Sequence, residues 1–330
     1  MLQTIFHGRR AFQIENGEIR VTVLAEGGHI AEILDKSTGV NPLWLPPWPS
    51  IENSEWSAEK YPIYGNDSES SLLAGIMGHN LCLDIFGPPS PEEERAGIVA
   101  HGEAGVIPYD FEASPDGLRC RCVLQGSQLS FERVITLEGR RARIEETVEN
   151  LAPLDRPVGW TQHVTLGPPF LERGRTRFLA NATRSRAIGE TADFDWPFYG
   201  DRDLQVYPDA LSSSGYTAHL MDPASAASFF LAWSPTHKVL IGYVWKREDF
   251  PWLGIWEENH SRTHTPWLGR TMTRGMEFGV SPFPEPRRKM IERGSMYNTP
   301  GYRWIPARSK VTAGYFATVG PAETMPEALV

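Results

Sequence analysis

Residues 109–150 read YDFEASPDGLRCRCVLQGSQLSFERVITLEGRRARIEETVEN, and this stretch decides the architecture. It divides into YDFEAS, LRCRCVLQ, LSFERVITLEG and ARIEETVEN, each alternating apolar and polar residues and each separated from the next by Gly, Pro or Asp. A period of two places one face of a strand in a core and the other in water, and strands joined by short turns pair antiparallel. The near-regular spacing, with no helical pattern between the strands, predicts an all-β sandwich of antiparallel sheets and not βαβ units.

Working outward, FQIEN and EIRVTVL flank Asn16-Gly17, the strongest hairpin signal in the chain. Residues 41–56 are rich in Pro and carry Trp44, Trp48 and Trp56, so neither strand nor helix is supported there; such aromatics either stack on a sugar or cover a sheet end. The acidic run PSPEEER predicts a short surface helix capped by Ser90, with Pro91 in its first turn. At the far end, 311–319 reads as a closing strand. No tandem repeat, low-complexity linker or change of composition interrupts the 330 residues, so one domain spanning 1–330 is expected.

With 27 Pro, 30 Gly and 11 Trp, the chain is punctuated too often for a helical bundle. A net charge of -9 argues against a nucleic-acid partner, whose phosphates need a basic face. No run approaches the roughly 20 apolar residues of a membrane span, and the N-terminus has no basic segment followed by an apolar one. Cys82, Cys120 and Cys122 form no even disulfide framework. The expectation is a cytoplasmic protein, monomer or homodimer, whose partner is a small molecule.

Candidate chemistry centres on 150–172, NLAPLDRPVGWTQHVTLGPPFLE. The alternation of 142–150 ends there, and Trp160, Gln162 and His163 follow within a few residues, ahead of the stiff turn Gly167-Pro168-Pro169. They read as an aromatic platform, an amide and an imidazole grouped on one rigid piece; the competing reading is a core Trp with a histidine satisfied by backbone. His101 stands beside Gly102, and Glu277 lies between Gly275 and Gly279, where the backbone can approach a ligand closely. Two imidazoles and a carboxylate on one concave sheet suffice for proton transfer near neutral pH. His101-Gly102-Glu103 with His163, or His260 with His264, offers metal-type donors, but the spacing matches no established motif, and neither metal nor cofactor is expected. There is no Gly-x-Ser-x-Gly elbow and no phosphate-cradling glycine loop.

These residues resemble the aldose 1-epimerase, or galactose mutarotase-like, superfamily. The opening EIRVTVLAEGGHIAEILDKSTGVNPLW is similar to its first strands, IVAHGEAG to its His-Gly motif, VGWTQHVTLGPPFLE to the segment carrying its second histidine, and GMEFGVSP to its late glycine-flanked glutamate. The order and rough spacing agree over most of the chain. The resemblance implies a large antiparallel β-supersandwich whose concave face binds a sugar, and an isomerase that interconverts anomers by opening the ring. It implies Glu277 as base and His163 as acid, on opposite sides of one C–O bond, with His101 as a second imidazole polarising the sugar. Where the family carries an arginine this chain has Gly78-His79-Asn80, which makes His79 and Asn80 candidate sugar contacts. Asp222 is the nearest match to the family's binding aspartate, ahead of Asp84. Trp256 and Glu258, in a Trp-rich segment, are further candidate contacts, and Glu257 and Glu258 compete with Glu277 for the role of base. Arg262, Arg270 and Arg274 keep a phosphorylated sugar open. The alternative is a non-catalytic carbohydrate-binding protein on the same scaffold, with Trp160, Trp252 and Trp256 stacking the sugar.

Overall fold

The computed structural model describes residues 1–114 and 117–327; residues 115–116 and 328–330 of the expected 1–330 span lie outside them. Two antiparallel sheets face each other. The larger has 12 strands and runs in spatial order Leu2–Phe6, Arg9–Glu15, Ile19–Leu24, Ile30–Asp35, His79–Asp84, Arg156–Leu166, Met272–Gly279, Trp252–Asn259, Ser213–Met221, Ala182–Ala187 and Asp193–Asp195, with Arg303–Ile305 paired to one end of Arg156–Leu166. The smaller has 8 strands, in order Arg177–Ala180, Ala227–Ser234, Val239–Lys246, Lys310–Pro321, Arg141–Asn150, Leu129–Glu138, Gly117–Leu124 and Asp110–Ser114. The fold class read from residues 109–150 is the one found.

Local rules account for the elements as predicted. The Asn16-Gly17 hairpin joins Arg9–Glu15 to Ile19–Leu24, with the Asn16 side-chain oxygen accepting from the backbone N–H groups of Glu18 and Ile19. The acidic helix is Pro91–Arg95, closed by a reciprocal capping box between Ser90 and Glu93. Residues 41–56 contain no strand or α-helix, and Trp44 and Trp48 are buried in a satellite cluster with Trp267.

The two sheets enclose one core, to which Val21, Leu83, Trp160 and Phe278 of the larger sheet and Phe131, Ile144 and Tyr315 of the smaller contribute. Strands of the smaller sheet alternate between buried and accessible positions, as in Arg141–Asn150. The middle strands of the larger sheet do not. His79–Asp84 is buried throughout, and Arg156–Leu166 and Met272–Gly279 nearly so, because one face meets the core and the other is roofed by loops. This corrects the reading of 150–172: Arg156–Leu166 is a long central strand with no solvent face to mark it by alternation.

Candidate active site

Strand parity assigns each candidate to a face. On Arg156–Leu166, even-numbered Val158, Trp160 and Val164 enter the core, so Gln162 does too, while His163 and Thr165 point the other way into a cleft. Successive residues of a strand cannot share a face. Trp160, Gln162 and His163 therefore do not form a group, and the first two, with His79, belong to a buried network between the sheets. Trp160 Nε1 and Gln162 Nε2 donate to Glu146 Oε2 at 3.0 and 2.5 Å, and Arg133 Nε donates to Glu146 Oε1 at 2.8 Å. His79 Nε2 donates to Gln162 Oε1 at 3.0 Å, and Tyr243 OH donates to His79 Nδ1 at 3.3 Å. Burial first, then the Arg133 charge, holds His79 far below the ordinary histidine range, so it is neutral. These are satisfied core groups with no access to a ligand.

On the opposite face, the register across the larger sheet aligns Asn80 with His163, His163 with Glu277, and Glu277 with Gly254. His163 Nε2 lies 3.0 Å from Glu277 Oε1, and His163 Nδ1 is 3.0 Å from Thr165 Oγ1. The contact to Glu277 is close enough for an ion pair but lacks hydrogen-bond alignment, so the buried Oε1 has no donor. Acid and base candidates thus stand side by side on one wall and do not face each other across the cleft. Glycines make room for two cleft side chains: a Cβ at Gly275 would fall 2.3 Å from Glu277 Oε1, and one at Gly254 would fall 2.1 Å from the Tyr216 hydroxyl.

His101 arrives from a loop. Its left-handed backbone (φ 65°) and that of Gly102 (φ 81°) turn the chain so that a Cβ at 102 would strike Leu83 O at 2.1 Å, and only glycine fits. Its ring packs edge-on to His163, centroids 5.0 Å apart, and its Nδ1 lies 2.7 Å from Cys82 Sγ.

Above this polar floor opens a cleft of about 420 Å3 whose lining includes Trp44, Phe86, His101, His163, Tyr216, Trp256, Arg262, Trp267 and Glu277. That size and the aromatic walls suit a small polar ligand with apolar ring faces. Arg262 lies over Trp267, 4.6 Å from its centroid, and 3.7 Å from the carboxylates of both Glu69 and Glu258.

The remaining candidates separate cleanly. Trp256 and Glu258 line the cleft. Glu258 is fully engaged, accepting from Ser261 N and Oγ and from Arg262 N, so it has no free oxygen for base chemistry. Glu257 points to the other face and is held by Arg202, Arg274 and Ser213. Arg274 is thereby removed from the cleft, and Arg270 is exposed and away from it. Asn80 shares the cleft-side face but is fully buried beneath it, with neither amide atom bonded. Trp252 is buried and donates to Pro300 O. Asp222 caps a surface turn through Ala224 N and is remote from the cleft, while Asp84 is buried between Arg156 and Arg287. Among the described residues no group of three His, Cys, Asp or Glu side chains is placed to hold a metal ion; Glu103 accepts from Gly126 N and Ser127 N, and His260 bonds Gly269 O. No helix among them is long and apolar enough to cross a membrane.

Tyr216, Trp267 and Glu69 were not singled out from sequence. Each enters the cleft from a segment with no motif around it, and only the register of Ser213–Met221 on Trp252–Asn259, which pairs Tyr216 with Trp256, reveals the first.

The architecture is that of the galactose mutarotase-like fold. The chain is similar to a protein of Klebsiella pneumoniae subsp. pneumoniae assigned by inference as an aldose 1-epimerase, with TM-score 0.72 and 15% identity over 97% of this chain and 83% of that one. It is similar also to a galactose mutarotase related enzyme from Lactobacillus acidophilus (TM-score 0.63, 13% identity, 94% of this chain and 98% of that one). A galactose mutarotase-like protein from Clostridium acetobutylicum aligns at TM-score 0.64 and 12% identity over 97% and 98%. No model of a known protein family matches the chain, and no curated protein sequence does. At these identities the likeness is one of fold, and a fold does not fix an activity.

Proposed function

We propose that the chain is a single-domain isomerase that interconverts the anomers of a free, neutral aldose by acid-base ring opening, with no cofactor. The observation that carries this reading is Glu277 Oε1, a buried carboxylate oxygen with no hydrogen-bond donor, beside His163 Nε2 at the floor of an aromatic cleft. An orphaned buried acceptor is costly unless a ligand satisfies it.

The anomeric carbon carries both the hydroxyl oxygen and the ring oxygen, so the groups serving them belong close together on one wall. Glu277 takes the proton of the anomeric hydroxyl while His163 beside it protonates the ring oxygen. The bond from the anomeric carbon to the ring oxygen breaks, the resulting aldehyde turns about its bond to the next carbon, and closure on the other face returns both protons. Neither charge need develop alone. Trp256 and Trp267 offer apolar faces to the sugar. Among the described residues the cleft carries the carboxylates Glu69, Glu258 and Glu277 against the single guanidinium of Arg262, which already neighbours two of them, and this balance disfavours a phosphorylated substrate.

The test is anomer exchange by NMR on neutral and phosphorylated aldoses. The expected result is acceleration on a neutral sugar that Glu277→Gln and His163→Asn both abolish. Binding shifts without acceleration on any sugar overturn the isomerase in favour of a carbohydrate-binding protein.

A further inference from the structure

We infer that Cys82 is a positioning residue that fixes the tautomer of His101, so that His101 presents an Nε2–H donor to the cleft. Cys82 lies on the cleft-side parity of His79–Asp84 and is fully buried, within a cluster of Phe86, Tyr216, Ala218 and Trp252. Its Sγ is 2.7 Å from His101 Nδ1. The imidazole cannot readily swing off this contact, because His101 N donates to Gly87 O and His101 O accepts from Leu83 N, both at 3.1 Å, and Gly102 locks the turn.

Two arrangements satisfy the contact: the thiol donates to an unprotonated Nδ1, or a protonated Nδ1 donates to sulfur. A thiol sulfur is a weak acceptor, whereas an unprotonated imidazole nitrogen is a good one, so the first is favoured. Both groups are held in the forms it needs. Burial, and secondarily the Glu277 carboxylate, pushes the Cys82 thiol well above its ordinary range, so it keeps its proton. Burial, then the neighbouring His163 and Arg262, holds His101 well below the ordinary histidine range, so it is neutral.

The two histidines are then not interchangeable. His163, paired with Glu277, carries the mobile proton, and His101 stays neutral and donates from Nε2 to a ligand oxygen. The catalytic consequence rests on the isomerase reading above; the tautomer does not.

The experiment is a long-range 1H–15N correlation on protein labelled with 15N in its histidine rings, at neutral pH, with the His101 signals assigned by their loss in His101→Asn. The expected pattern is a protonated Nε2 and an unprotonated Nδ1. Cys82→Ser keeps that pattern and most of the anomer-exchange rate, whereas Cys82→Ala mixes the tautomers and lowers the rate by about 10- to 100-fold. A protonated Nδ1 or a cationic ring in the unaltered protein overturns the inference, and needs no variant to fold. The expected tautomer, mixed in Cys82→Ala, in a protein without anomer exchange upholds the inference and sinks the isomerase, whereas an unmixed tautomer in Cys82→Ala overturns the inference.

Discussion

His163 Nε2 and Glu277 Oε1 lie 3.0 Å apart because the two residues are direct partners across neighbouring antiparallel strands. Backbone pairing fixes the distance, so it does not depend on loop conformation. Glu277→Gln removes the base and His163→Asn the acid, each with near-isosteric replacement. Each lowers the anomer-exchange rate by about 10^2- to 10^4-fold, with the circular dichroism spectrum unchanged. A variant retaining more than a tenth of the rate would remove that residue from the mechanism.

Gly275 and Gly279 flank Glu277, and the structure distinguishes them. An added Cβ at 275 meets the mobile end of the Glu277 side chain at 2.3 Å, whereas one at 279 meets Trp160 O at 2.8 Å as well as Thr161 Oγ1 at 2.3 Å. Gly275→Ala therefore displaces the carboxylate, costing about 10^2-fold in rate with little change in unfolding temperature. Gly279→Ala must move backbone and lowers the unfolding temperature. Thermal unfolding and anomer exchange on both variants check the contrast.

Arg133 and Glu146 form a fully buried ion pair between the sheets, with Trp160, Gln162 and Tyr315 bonded to the same carboxylate. Glu146→Gln leaves the guanidinium without its counter-charge and costs about 3–5 kcal/mol, read as a lower urea midpoint. The double change Arg133→Met with Glu146→Leu removes both charges together, and its loss is smaller than that of Glu146→Gln alone.

Acid destabilises the protein through buried histidines. Burial lowers His29 and His219 from 6.5 to about 3 in the fold. In the unfolded chain they titrate near 6.5, so between these values the unfolded state binds more protons and stability rises with pH. The contribution is complete above about pH 6.5 and is lost as pH falls toward 3. His219 is otherwise satisfied by Ser185 Oγ and Thr217 Oγ1, so His219→Gln flattens the dependence of the urea midpoint on pH between 7 and 4.5. An unchanged slope would mean that His219 is not buried neutral.

Turn chemistry and strand alternation are local, which is why the Asn16-Gly17 hairpin, the Ser90 cap, the strands of 109–150 and the closing strand are legible in the residues themselves. The same locality explains what they conceal. Within Arg156–Leu166 no solvent face reveals the parity, so Trp160, Gln162 and His163 read as one group, and their division between core and cleft follows only from the register with His79–Asp84 and Met272–Gly279. The choice among Glu257, Glu258 and Glu277 depends on which carboxylate is left without donors, a property of residues distant in the chain: Arg274 and Arg202 hold Glu257, and the 261–262 turn holds Glu258. The sequence by itself determined an all-β chain and the residue types its chemistry needs, because period and turn propensity act over a few residues. Only the tertiary structure decided which of those residues meet, because cross-strand register and burial are set by pairings tens to hundreds of residues apart.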